Sequence, residues 1–200
     1  MKQKSRTEYS VMNTTVAFLA QTLAIFMGFF TRVVFTRTLS EGYVGINGLF
    51  TDILNILSLS ELGVGTAITY ALYAPIARRD IKKQQILMRM FRNFYRITAG
   101  FVLLAGLCLI PFLDILMKDR PDVNHLIIIY LLYLLNSVVS YLLIYKKTLV
   151  DAHQMNYITV MYHNGFLVLQ DILQIMVLFL TRNFILFLVI AVVCTIIGNI

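Results

Sequence analysis

Apolar residues run in long blocks along this chain, and short polar clusters cut them at intervals. A membrane-spanning helix needs about 20 mostly apolar residues. The blocks predict six such helices, over about 11–35, 43–73, 86–117, 123–145, 157–180 and 184–200, after a polar tail at 1–10. The second is longer than a bilayer needs, so it tilts, bends or projects. Gly63 and Gly65 permit a bend or a close helix contact there, and Pro75 is expected to end it. The third opens with an amphipathic piece before its apolar part begins at Ile97.

Composition sharpens this picture. Hydrophobic residues make up 59% of the 200 positions, and the mean hydropathy is +0.79. Water-soluble domains are less apolar, and a chain of this length could not bury so much in water. The expected fold class is therefore an all-α polytopic membrane protein. The net charge of +7 does not point to nucleic acid, because the basic residues lie between apolar blocks. Twelve of the seventeen fall in the N-terminal tail, in 74–96 and at Lys146/Lys147, which share one side of a six-helix path. The positive-inside rule then places both termini in the cytoplasm. Cys108 and Cys194 sit in apolar blocks without metal-like spacing and read as structural. An N-terminal stretch beginning Met-Lys-Gln-Lys resembles a signal-peptide start, but the apolar run after it is too long and is expected to be a retained helix. The abrupt apolar end at Ile200 suggests one half of a larger assembly.

Polar positions inside the blocks are the candidates for function, since charge at membrane depth costs roughly 3 kcal/mol per residue. Asp52, Asn55, Ser58 and Glu61 form a slowly winding row on the second helix. Its two carboxylates are nine residues apart, on opposite sides of a straight helix. Asp52, Glu61 and Asp171 read either as clamps between helices or as coupling-ion carboxylates. Arg32 and Arg37 lie in the outer part of the first helix. Arg37 suits snorkelling to the interface, and the deeper Arg32 suits a cavity in which its guanidinium could hold a phosphate or pyrophosphate. Thr14/Gln21 on the first helix, Asn136, Ser137 and Ser140 on the fourth, and His163, Gln170 and Gln174 on the fifth add polar faces. These faces are expected to converge on a wet cavity, or else to bond between helices. Arg89, Arg92 and Arg96 share a face that suits anionic lipid. No Walker loop, nucleophile or metal constellation is present in the sequence, so neither an enzyme nor a cofactor is expected.

Four phrases carry a resemblance: FFTRVVFTRTLSEGYVGINGLF, SLSELGVGTAITYALYAPIA, YLLYLLNSVVSYLLIYKKTLVDAHQMNYI and LTRNFILFLVIAVVCTIIGNI. They resemble, in order and over nearly the whole chain, the amino-terminal half of bacterial Wzx-type polysaccharide or O-antigen flippases of the multidrug/oligosaccharidyl-lipid/polysaccharide exporter superfamily. The resemblance implies one six-helix lobe of a two-lobe transporter in the bacterial cytoplasmic membrane. It implies flipping of undecaprenyl-pyrophosphate-linked oligosaccharide, driven by an ion gradient, with Arg32 as the best match for a pyrophosphate-holding cation. Expected partners are the lipid-linked oligosaccharide, membrane lipids, a missing second lobe, and envelope-polysaccharide polymerase or glycosyltransferases. A full transporter is about twice as long. The alternatives are a drug/cation antiporter of the same superfamily, a polytopic envelope enzyme, and a non-transporting assembly partner.

Overall fold

The computed structural model describes residues 6–58, 64–117, 123, 125–153 and 155–198. Glu61, Gly63 and the charged loop 118–122 lie outside the described residues. Among the described residues the chain is helical, without strands. Its elements are α1 (Arg6–Thr38), α2 (Glu41–Ser58), α3 (Val64–Ala77), α4 (Ile81–Leu109), α5 (Leu113–Leu116), α6 (Leu126–Leu143), α7 (Tyr145–Ala152), α8 (Asn156–Thr181) and α9 (Phe184–Gly198). A single 3-10 turn joins α4 to α5.

Among the described residues, three helical stretches are long and apolar enough to cross a membrane: Val11–Thr38, Ile81–Phe112 and Asn156–Thr181. A fourth span follows if Leu126–Leu142 and Tyr145–Ala152, bent by 40° to each other, act as one. The described residues thus form a helical protein with three to four candidate spans. The apolar helices α3 and α9 have only 14 and 15 residues. The expected second helix is represented by α2 and α3, on either side of 59–63.

Several boundaries differ from those read off the sequence, each for a local reason. Pro75 lies inside α3, which runs on to Ala77. The helix closes one turn later with a Schellman motif, in which Asp80 N donates to Pro75 O at 2.9 Å and Arg79 N to Ile76 O at 3.1 Å. Arg79 takes the left-handed position at φ 54°. Helix α4 begins at Ile81, five residues before the expected start, because Asp80 caps it: its carboxylate accepts from Lys83 N at 3.1 Å. The fourth expected helix ends at Leu143, and the chain continues as α7.

Contacts set the relative directions. Helices α1 and α8 run parallel: Asn13 meets Tyr157 near one end, and Thr31 meets Asp171 farther along. Helices α4 and α6 run antiparallel, with Tyr95 beside Tyr141 and Gly106 beside Tyr130. Helix α9 runs back along α8, with Gln174 against Phe187 and Tyr162 against Ile197. Lipid is as apolar as a leucine side chain, so packing and interhelical hydrogen bonds must hold such helices together. Gly106 shows the packing: a Cβ there would sit 2.4 Å from Leu134 Cδ1. The absent side chain is what lets α4 and α6 approach, and Tyr130 Oη donates to the Gly106 carbonyl at 2.8 Å.

Three tyrosines behave as core residues, while Tyr70, Tyr73 and Tyr162 are exposed. Tyr95, Tyr130 and Tyr141 are buried. An aromatic cluster joins the end of α1 to the starts of α2 and α9: Phe35 and Tyr43 lie 5.5 and 5.2 Å from the Phe184 ring. Phe50 and Tyr133 extend it into α2 and α6.

Candidate functional site

Two groups of polar side chains emerge, and they do not coincide with the single convergent cavity expected from spacing. The first group borders a hollow between α6, α7, α8 and α9, with His163 exposed and the other polar residues half-buried. Asn136 and Ser140 on α6, Lys147 on α7, His163 and Gln170 on α8, and Thr195 on α9 line one pocket of about 200 Å³. Two of the sequence-predicted cavity residues, Asn136 and Gln170, therefore meet. The Asn136 Oδ1 atom is buried and makes no hydrogen bond. Lys147 lies within electrostatic range of His163. Gln21 does not join this pocket, because it sits on the exposed side of α1.

The second group lies on the outside of α1 and α2. Helix α1 packs along α8 and touches α2 at its end, leaving much of its surface open. Gln21 and Arg32 are both exposed. They are eleven residues apart, three helical turns, so they share one stripe with Thr14. The Arg32 guanidinium lies 5.4 Å from the Phe35 ring centroid, at the edge of the aromatic cluster. It is also within electrostatic range of Tyr133, whose hydroxyl donates to Asn47 Oδ1 on α2. Arg37 is exposed nearer the end of α1. Helix α2 is amphipathic: Ile46, Phe50, Ile53 and Leu54 are buried, while Asp52 and Asn55 are exposed. Asp52 therefore turns away from the core and clamps nothing within it.

Asp171 has a different setting. Its Oδ1 accepts from Thr31 Oγ1 at 3.0 Å, joining α8 to α1. It lies fifteen residues from the start of α8 and ten from the end, or about 22 and 15 Å along the axis. A carboxylate this deep must be held by protein or water, and here a hydroxyl from the residue before Arg32 supplies one bond. Gln174, one turn on, donates to the Phe187 carbonyl at 3.0 Å and is a link between helices.

Some polar residues in the apolar blocks ask for no cavity. Thr22, Thr36, Ser58 and Ser140 each donate to a carbonyl three or four residues back in their own helix. The arginine face of α4 divides as well. Arg89 and Arg96 are exposed, but Arg92 is half-buried, with its Nε buried and unpaired. Arg92 flanks the side of α4 that carries Phe91 and Tyr95, which explains the split.

Among the described residues no cluster of His, Cys, Asp or Glu could hold a metal ion. No family model, curated protein or solved structure matches this chain. What the arrangement can do must therefore be argued from its own side chains. The outer group offers a guanidinium, an amide and a carboxylate on faces that nothing in the bundle covers. The inner group offers an ammonium, an imidazole and amides around a small hollow.

Proposed function

We propose that this chain is a transport lobe that moves a lipid-linked oligosaccharide across the bacterial cytoplasmic membrane for capsule, O-antigen or similar polysaccharide synthesis. In this reading it crosses the membrane six times with both termini cytoplasmic, and its α1–α2 side faces a second lobe across a cavity. It acts by binding and release, with no bond chemistry.

The observation that carries the proposal is the polar surface of α1 and α2. Gln21, Arg32, Asp52 and Asn55 are all exposed on the outside of the bundle. Left against lipid, the two charges alone would cost several kcal/mol. Facing water and a second body, they cost far less, and they border the path of a polar head group. A pyrophosphate carried through such a cavity needs a fixed cation, because even one unpaired buried charge costs several kcal/mol. Arg32 is held over Phe35 and offers two parallel donors to phosphate oxygens. The four sequence phrases that resemble the flippases support the same assignment. Asp171 at mid-span favours a second reading, an ion-coupled antiporter of the same superfamily with the carboxylate as coupling group.

The test is export of surface polysaccharide in a strain lacking its own flippase, with the lobe supplied in a complete transporter and protein levels checked by blot. Arg32→Ala is expected to lose most export and Arg32→Lys to keep part of it, since lysine retains the charge but not the fork. Arg37→Ala is expected to export nearly normally. Normal export by Arg32→Ala would remove the pyrophosphate role. Loss of drug efflux rather than export in Asp171→Asn would favour the antiporter.

A further inference from the structure

The pocket between α6, α7, α8 and α9 is not on the α1–α2 face and plays no part in the transport reading. It is polarised along its length. His163 and Gln170 are seven residues apart on α8, about 10 Å along the axis. Lys147 lies within electrostatic range of His163, while Asn136, eleven residues earlier in the chain, borders the same hollow with Gln170. One end thus presents an ammonium and an imidazole N–H, which ask for an anionic acceptor. At the other end the Asn136 carbonyl is a buried acceptor without a donor, a state that normally costs free energy. Gln170, Ser140 and Thr195 border the same hollow. A single ligand that satisfies both carries an anionic group, such as a phosphate, and a hydroxyl that donates.

Lys147 belongs to the basic side of the chain, where the positive-inside rule places the cytoplasmic leaflet. Anionic glycerophospholipids are present at that surface, and basic pockets between membrane helices on this side suit their head groups. We propose that this pocket binds the polyol-phosphate head group of an anionic bilayer lipid, with the phosphate against Lys147 and His163 and a head-group hydroxyl donating to Asn136 Oδ1. The acyl chains then lie in the surrounding bilayer, outside the pocket. Bound there, the lipid adds to the packing that α6 already makes with α9 and α7 with α8.

The experiment uses the full chain in detergent and measures lipid retention by native mass spectrometry. Three probes separate the two ends: phosphatidylglycerol, phosphatidylethanol (a monoanionic phosphodiester without the hydroxyl) and phosphatidylcholine. Phosphatidylglycerol is expected to bind about tenfold or more tightly than phosphatidylcholine, whose phosphate is the same but whose choline cation meets Lys147 as a like charge and brings no donor to Asn136, and about fivefold more tightly than phosphatidylethanol, from the neutral hydrogen bond. Lys147→Gln is expected to lose the tenfold preference, and Lys147→Arg to restore it, which separates binding from folding. Asn136→Leu is expected to erase only the preference over phosphatidylethanol. Lys83→Gln, an exposed charge on α4, is expected to change nothing. Equal retention of all three lipids, or an unchanged preference in both Lys147→Gln and Asn136→Leu, would overturn the proposal. Displacement by millimolar inorganic phosphate would assign the pocket to free phosphate instead. Displacement by an equimolar polyprenyl-linked sugar phosphate would assign it to the transported substrate.

Discussion

Gly106→Ala tests the contact between α4 and α6. Two effects oppose each other. Alanine is the better helix former by about 0.8–1.0 kcal/mol. Against that, the new Cβ would lie 2.4 Å from Leu134 Cδ1 and 2.9 Å from Cδ2. Leu134 is 1% exposed and cannot swing away. Overpacking of this kind costs about 1–3 kcal/mol, so the net effect is a loss of about 0–2 kcal/mol. A control on the same helix removes the propensity term: nothing lies within 4 Å of a Cβ at Gly100, so Gly100→Ala carries the gain without the clash. The difference between the two variants, about 1–3 kcal/mol, is the packing cost alone. Thermal unfolding of the purified protein in detergent measures it. Adding Leu134→Ala to Gly106→Ala should be less damaging than the two single effects summed, because the cavity accepts the methyl group. Equal stability of the Gly106→Ala and Gly100→Ala proteins would refute the claim that α4 and α6 touch through Gly106.

Two further predictions concern stability and topology. Arg79 takes a left-handed conformation that costs a residue with a side chain about 1 kcal/mol, so Arg79→Gly should raise the unfolding temperature while Arg78→Gly, at a right-handed helical position, should lower it. In a background with Cys108 and Cys194 replaced, a cysteine at Ser40 should react with an impermeant thiol reagent from outside intact cells and one at Lys83 should not; the opposite pattern would invert the proposed orientation.

Much of the helical path was legible because long apolar blocks leave few alternatives. The ends of α8, at Asn156 and Thr181, fall within a residue of those read from the sequence. Starts and stops were less legible where a single side chain decides them. Asp80 moves the start of α4 forward by capping it, and a cap cannot be weighed against an amphipathic run from spacing alone. Pro75 reads as a stop in the sequence because a proline breaks a helix by denying its own N–H and crowding the preceding turn. Near the end of α3 the helix extends past it, and its freed carbonyl accepts from Asp80 N and Gln84 Nε2.

The polar residues were harder, for a physical reason. A threonine or serine in an apolar block signals either a cavity or a bond to its own helix, and the two leave the same mark in sequence. Thr22, Thr36 and Ser58 bond to their own backbones. An amide is different, because its donors and acceptor point outward from the helix and need partners elsewhere. That is why Asn136 and Gln170 proved to share a pocket, and why Gln174 and Asn13 bridge helices. Gln21 and Asn55 depart from this, with their amides on the exposed sides of α1 and α2. Gln21 shares its stripe with Arg32, and α2 beside it exposes Asp52 and Asn55. Two neighbouring helices that keep polar groups away from their own core, in a chain this apolar, require a wet boundary on that side. Those exposed positions are the ground for the proposal that a second lobe faces α1 and α2.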